Sequence, residues 1–186
     1  EIALVSCCVV LLVTGLAGAA REIRIIVDDE VMVVTAPALR VGDILKQAGV
    51  AGALINGGES SIRVLGERPG GGPWRIALSH PRSKEWIGIV HLTSDQALGT
   101  SADTQRYVEV DCQRYSHLLN PFTGYPATDL AAVTIITDSA MKADLFSTAV
   151  FVAEAGARER LIVGQKLEAL SVDRDMNVTM TPGFAA

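Results

Sequence analysis

One of the three histidines, His117, lies where the sequence combines proton-transfer chemistry with a rigid backbone. It follows an aromatic, strand-like segment and precedes Asn-Pro-Phe-Thr-Gly-Tyr-Pro at residues 120–126. Imidazole is the side chain best suited to move a proton near neutral pH. The Asn-Pro and Gly-x-Pro elements hold the following backbone in a fixed, non-helical course. The pattern alone is more typical of a hydrogen-bonded histidine at a strand end than of a general base, and both interpretations stay open.

A carboxylate and a hydroxyl are spaced by one helical turn in the segment at residues 142–149. Asp144 and Thr148 are four residues apart and therefore share one face of the predicted helix. Oxygen ligands of this kind bind the hard cation Mg²⁺. The alternative is an early-helix acid beside a packing threonine that bonds back to its own helix.

Two further segments carry small and hydroxyl-bearing residues. The first follows an apolar strand and contains Gly57, Gly58, Glu59 and Ser60. Its glycines allow close approach of the backbone to a flavin or a phosphate. The second, at residues 97–103, contains Thr100, Ser101 and Asp103. Taken alone, this second segment is also typical of an ordinary polar turn.

The composition favours one folded domain and excludes some classes of partner. The 186 residues are 49% hydrophobic, which is enough for a proper core in one domain with or without an appendage. A formal net charge of −5 and the lack of a Lys/Arg run argue against a nucleic-acid-binding protein. The three cysteines form no disulfide framework, and no Cys/His spacing indicates zinc.

The first twenty residues are predicted to be a separate segment. Residues 2–20 carry no charge and are about as long as a segment that spans a bilayer. Ala17-Gly-Ala19 resembles a signal-peptidase site, and residues 4–7 fit a loose bacterial lipobox. We expect residues 1–20 to be an export or membrane-anchor segment rather than a buried core helix, and residues 21–186 to form the folded domain.

Hydrophobic periodicity predicts an α+β fold with mixed or antiparallel sheets and a few packing helices. Two β-rich runs, at residues 22–27 and 31–35, predict a hairpin, and residues 38–48 predict a helix that Gly49 ends. A second helix is predicted from Asp138 or Ser139 to Ala155, followed by a shorter one. Further strands are predicted at residues 53–55, 62–65, 74–79, 86–92, 106–110, 113–117, 131–137, 169–172 and 177–180.

Four motifs in this order resemble the ApbE family of flavin transferases, the FAD:protein FMN transferases. They are the segments at residues 54–63, 97–103, 115–126 and 142–149, and the resemblance covers roughly residues 42–184. It implies a truncated, ApbE-like flavin transferase core. It also implies an enzyme that uses Mg²⁺ to transfer FMN from FAD to a Ser or Thr hydroxyl of an acceptor protein, with release of AMP.

The resemblance implies a role for each candidate residue. His117 resembles the histidine at the family's flavin site and is the catalytic candidate for proton transfer. Asp144 and Thr148 resemble the ligands of Mg²⁺, and Asn120 stands where many relatives carry Asp. Ala102 replaces the Gly of the family's Thr-Ser-Gly-Asp motif. The residues implied to contact FAD are Gly57, Gly58, Glu59, Ser60, Thr100, Ser101 and Asp103.

The family also implies partners and a compartment. The acceptor is expected to be a subunit of a membrane redox complex, such as a sodium-pumping quinone reductase or an Rnf complex. The expected location is the bacterial periplasm, with the protein exported or tethered to the inner membrane as a lipoprotein. A divalent cation suits an acidic protein that binds the anionic pyrophosphate of FAD.

The sequence departs from the family pattern at two places. The Gly-Ile-Ala-Lys-Gly type of segment is missing ahead of the helix that begins near Leu39, and Cys112 stands where a hairpin turn usually has Gly. These departures keep three alternatives open: an FAD-binding remnant without turnover, a membrane-tethered scaffold that binds no flavin, and an FAD pyrophosphatase side activity.

Overall fold

The computed structural model describes residues 10–14, 21–27, 30–36, 41–58, 60–111 and 113–184. It divides the chain into two compact units, Glu1–Ala51 and Gly52–Ala186. The predicted boundary after residue 20 stays a prediction. Of the predicted export or anchor segment, the structure describes only Val10–Thr14, which forms a strand, and the rest lies outside the described residues.

The first unit contains an antiparallel sheet in the order β1-β2-β3 and one short helix. Its elements are β1 (Val10–Thr14), β2 (Arg21–Val27), β3 (Glu30–Ala36) and α1 (Val41–Gln47). Strands β2 and β3 are paired antiparallel, with Val27 opposite Glu30 at one end and Arg21 opposite Ala36 at the other. This pairing confirms the predicted hairpin. Within the described ranges, no helix is both long and apolar enough to cross a membrane.

The second unit is built on a six-stranded antiparallel sheet. Its strands are β4 (Ala53–Asn56), β5 (Ser61–Leu65), β6 (Trp74–Ser79), β7 (Trp86–Leu92), β8 (Ala97–Ala102), β9 (Tyr107–Val110), β10 (Gln113–Ser116), β11 (Leu130–Thr137), β12 (Glu168–Asp173) and β13 (Val178–Met180). Its helices are α2 (Ala140–Val152) and α3 (Ala155–Gly164). The large sheet has the order β13-β12-β11-β8-β5-β4, while β6-β7 and β9-β10 form two hairpins. The predicted α+β class is confirmed.

Apolar side chains on the two faces of the sheet form two separate cores. Along β11, Ala132 belongs to one cluster, whereas Val133 and Ile135 belong to the other, as the two-residue period of a strand requires. The first cluster joins the sheet to the β6-β7 hairpin, and the second joins it to α2 through Val150 and Phe151. Because both faces are covered, residues 130–136 of β11 are apolar apart from the buried Thr134.

In the β9-β10 hairpin, Asp111 rather than a glycine occupies the first turn position. Asp111 adopts a left-handed conformation with φ of 51°, which Asp tolerates better than most residues. Cys112, which stands where a hairpin turn usually has Gly, lies outside the described residues.

Strand β8 was not predicted, because its segment resembles a polar turn. The structure places it in the sheet between β11 and β5. Its small residues are explained by α2, which lies directly on the strand. A Cβ on Gly99 would be 2.5 Å from the carbonyl oxygen of Ala143 and 2.7 Å from the amide nitrogen of Asp144. Only glycine therefore allows the helix backbone to approach β8 this closely.

We expect Gly99→Ala to lower the free energy of unfolding by about 1–3 kcal/mol, because the added methyl group must push α2 away from the sheet. Chemical denaturation measures this. Gly88→Ala is the matched control, since Gly88 is also in a strand but has no atom within 4 Å of the position that an added Cβ would take. Equal losses in the two variants would show that the close contact at Gly99 has no special role.

Candidate functional site

A cavity of about 320 Å³ in the second unit collects most of the predicted site residues. Three loops, the strand β8 and the helix α2 form its wall. Its lining residues are Gly58, Ser60, Thr100, Ser101, Ala102, Thr104, Gln105, Arg106, His117, Leu118, Asp144 and Thr148. The structure thus brings together residues that are up to ninety positions apart in the sequence. Most of these side chains are polar, as a site for a phosphate-bearing ligand requires.

The close packing of α2 on β8 places Asp144 beside the neighbouring strand. Ser61 lies opposite Gly99 in the β5-β8 register. From there, Ser61 Oγ donates a hydrogen bond of 2.9 Å to Asp144 Oδ1. The hydrogen bond fixes the orientation of an otherwise exposed carboxylate, because Ser61 is held in the sheet.

The loop after β4 is attached to β8 through its backbone. Thr100 N donates to Ser60 O over 2.7 Å, and Gly57 N donates to Ser61 O over 2.7 Å. Gly58 has φ of 95°, which favours glycine, and its amide donates to Asn56 Oδ1. The loop therefore brings Gly58 and Ser60 to the cavity.

His117 is held in one orientation by the backbone of a neighbouring segment. Its amide nitrogen and its Nδ1 each lie 3.0 Å from the carbonyl oxygen of Arg106. A carbonyl only accepts, so in the neutral ring Nδ1 carries the proton and Nε2 is the basic nitrogen. The ring lines the cavity, and it can therefore receive a proton there.

The predicted turn after His117 is present, and the side chain of Asn120 closes it. Asn120 Oδ1 accepts from Phe122 N at 2.9 Å, and Asn120 O accepts from Gly124 N at 2.8 Å. Gly124 has φ of 72°, so the position favours glycine. The amide at position 120 is thus used to build the turn.

Two of the predicted residues that the structure describes, Gly57 and Asp103, are not among those that line the cavity. Gly57 is adjacent to the lining but not part of it, and Glu59 lies outside the described residues. Asp103 is only 3% exposed and receives two hydrogen bonds from Arg82, of 2.6 Å and 2.7 Å. This hydrogen bonding to Asp103 raises the pKa of Arg82 above its ordinary value. Asp103 is therefore the buried ion-pair partner of Arg82, and it is not among the residues that line the cavity.

The donor set of the cavity fits a hard cation. Asp144 supplies a carboxylate and Thr148 a hydroxyl on the same helix face, one turn apart. In the described part of the chain, no group of three or more His, Cys, Asp or Glu side chains gathers as a metal cluster. Mg²⁺ is commonly held by one or two carboxylates together with substrate phosphates, so a single carboxylate suits it.

Several residues of the site were not singled out from the sequence. Ser61 and Ser147 lie inside the quoted motifs, but only the fold shows that their hydroxyls bond to other site residues. Arg106 brings a permanent positive charge to the wall of the cavity and fixes His117 through its carbonyl. No sequence spacing indicates this contact, because it depends on how the β9-β10 hairpin pairs.

Comparison with known families identifies a family that covers most of this chain. The profile of the ApbE family matches residues 38–171. This chain belongs to the ApbE family. The motifs at residues 54–63, 97–103, 115–126 and 142–149 all lie inside the matched range.

Curated relatives carry the name FAD:protein FMN transferase. The one from Rhodobacter capsulatus is 31% identical over 143 residues, which are 76% of this chain and 27% of the relative. The one from Vibrio cholerae is 36% identical over 115 residues, which are 60% of this chain and 34% of the relative. This chain therefore spans about a third of the length of the relatives it matches.

Solved structures of the family share the fold. The ApbE protein of Thermotoga maritima is similar with a TM-score of 0.66 and 28% identity, over 87% of this chain and 58% of that chain. The flavinyl transferase ApbE of Pseudomonas stutzeri is similar with a TM-score of 0.65 and 36% identity, over 77% of this chain and 47% of that chain.

Removing the cationic partner of the buried Asp103 should destabilise the fold strongly. We expect Arg82→Met to lower the free energy of unfolding by about 3 kcal/mol, because it leaves the Asp103 carboxylate, 4% exposed, without a charge partner. Urea denaturation measures this. Lys142→Met is the matched control, since Lys142 pairs with the exposed Asp138 and its loss should leave stability nearly unchanged. Similar losses in both variants would contradict a structural role for the buried pair.

Proposed function

We propose that this chain carries the phosphate and metal site of an FAD:protein FMN transferase. In this reaction a Ser or Thr hydroxyl of an acceptor protein attacks the FMN-side phosphorus of FAD. A phosphoester bond forms between the acceptor and FMN, the bond to the AMP phosphate breaks, and AMP leaves. The observation that carries the proposal is the polar cavity that combines His117, Asp144 and Thr148 in a member of the ApbE family.

In this proposal, Asp144 and Thr148 hold Mg²⁺. When bound, the cation neutralises charge on the pyrophosphate and on the leaving phosphate. The chain orients its own ligands before substrate arrives, because Ser61 fixes the carboxylate of Asp144. Preorganised ligands lower the cost of reaching the reactive geometry.

His117 acts as the base in this proposal. Nδ1 is bonded to Arg106 O, so Nε2 receives the proton that the attacking hydroxyl loses. The guanidinium of Arg106 provides a fixed positive charge on the same wall, which favours the anionic pyrophosphate in a protein whose net charge is −5. Backbone at Gly58 and hydroxyls at Ser60 and Thr100 complete the polar wall.

For the acceptor and the compartment, we keep the expectation derived from the family. The acceptor is a subunit of a membrane redox complex of the quinone reductase or Rnf type, and the reaction takes place in the bacterial periplasm. The uncharged run at residues 2–20, with its lipobox-like start, supports export or an inner-membrane anchor.

The transfer assay uses the full chain, FAD, Mg²⁺ and an acceptor domain that carries a suitable, unmodified Ser/Thr motif. Intact mass and in-gel flavin fluorescence detect the adduct, with a full-length relative as the positive control. We expect an adduct that is lost with EDTA and in Asp144→Ala, because both remove the proposed metal site. Bound FAD without adduct or AMP release would favour a flavin binder without turnover, and no bound flavin would favour a scaffold.

Replacing the base should slow transfer more than it weakens binding. We expect His117→Gln to reduce the single-turnover rate by about 10²–10⁴-fold while the Kd for FAD changes little, since a general base acts only in the chemical step. His91→Gln is the matched control, because His91 lies on β7 outside this cavity. An unchanged rate in His117→Gln would exclude His117 as the base.

A further inference from the structure

Three hydroxyl groups form a continuous chain from the backbone of α2 to the cavity. Ser147 Oγ donates a hydrogen bond of 2.9 Å to the carbonyl oxygen of Asp144. Ser147 Oγ lies 3.0 Å from Ser101 Oγ, and Ser101 Oγ lies 3.0 Å from Thr148 Oγ1. Thr148 lines the cavity at the far end of this chain, while Ser147 is not among the lining residues.

The direction of every hydrogen bond in this chain follows from counting protons. Each hydroxyl has one proton, and a carbonyl oxygen has none to give. Ser147 uses its proton on Asp144 O, so it accepts the proton of Ser101. Ser101 has then used its own proton and accepts the proton of Thr148. All three hydrogen bonds exist together only with this direction.

Burial keeps the hydrogen bonds of these side chains in this direction. Ser147 is fully buried and Ser101 is 9% exposed. Water therefore cannot easily take the place of a missing donor or acceptor, and an unpaired hydroxyl there would cost free energy. The three hydroxyls thus all donate in the direction away from the cavity. At the cavity, the Thr148 oxygen therefore presents lone pairs rather than its proton.

We propose that Ser101 and Ser147 are positioning residues for the metal ligand Thr148. They draw the proton of the Thr148 hydroxyl away from the cavity and leave its lone pairs directed toward a bound cation. This inference rests on the proposed function, because it assumes that Thr148 is a ligand of Mg²⁺. It goes beyond that function by assigning a task to Ser147, a buried residue that does not line the cavity.

The proposal explains why an isolated threonine would be a poorer ligand. A helical Thr side chain has two favoured rotamers, in part because its hydroxyl donates to the carbonyl one turn back. Here that carbonyl, Asp144 O, accepts from Ser147, and Thr148 is bonded to Ser101. Partners that orient a ligand in this way are typically worth ten- to a hundredfold in metal affinity.

The test measures the affinity of the full chain for Mn²⁺, a paramagnetic substitute for Mg²⁺, by the EPR signal of the free ion, with and without FAD. We expect Thr148→Val to raise the Kd by about ten- to a hundredfold, and Ser147→Ala to raise it by about tenfold. In Ser147→Ala, Ser101 loses Ser147 as its acceptor and donates its proton to Thr148 instead. The Thr148 proton then turns toward the cation.

A matched control separates this effect from a loss of stability. Thr137→Val removes a half-buried hydroxyl that bonds to the backbone of Ser139 at the start of the same helix. It should lower the melting temperature as Ser147→Ala does, yet leave the Kd for Mn²⁺ unchanged. Similar weakening of Mn²⁺ binding in Thr137→Val and Ser147→Ala would overturn the proposal.

The double variant gives the sharpest outcome. If Ser147 acts only through Thr148, Ser147→Ala should not raise the Kd further in a Thr148→Val background. Additive effects, or a Ser147→Ala Kd within twofold of the parent, would overturn the inference and leave Asp144 and Thr148 as ligands. Equal Mn²⁺ binding by the parent chain and Thr148→Val would instead remove the metal site of the proposed function, and the inference with it.

Discussion

The direct contact between the backbone of α2 and the strand β8 at Gly99 is the constraint on which the site depends. A side chain at this position would collide with Ala143 and with the amide of Asp144. Without one, the helix comes close enough for the Asp144 carboxylate to reach Ser61 on the neighbouring strand. Ser101, two residues along the same face of β8, then meets Ser147 and Thr148. Ligand geometry is therefore a consequence of backbone packing.

Hydrogen bonds with uncharged hydroxyl and carbonyl groups, rather than ion pairs, organise the wall of the cavity. Hydroxyls orient Asp144 and Thr148, and a carbonyl orients His117. The ion pair of Arg82 with the buried Asp103 is not among the residues that line the cavity, and its two partners satisfy each other. This separation suits a site for an anionic substrate and a cation, because the charges of the wall remain available to the ligands instead of being neutralised by one another.

The similarity to the family covers the described core and a limited part of each relative. The matched range contains all four motifs, and the solved relatives share the fold at 28% and 36% identity. Between 47% and 58% of each of those two chains is covered. The agreement of motif order, fold and polar cavity is what connects this chain to flavin transfer.

The sequence by itself determined the family, the α+β class, the β2-β3 hairpin and the long helix α2, because periodicity and motif order are local properties of the chain. The spacing of Asp144 and Thr148 places them on one helix face, while only the resemblance to the family implies that they bind Mg²⁺. The strand β8 was not predicted, since its small residues reflect the helix packed on it. Likewise, only the tertiary structure separated Asp103 from the cavity and linked Ser147 to Thr148. These contacts join segments distant in sequence, and no local pattern specifies them.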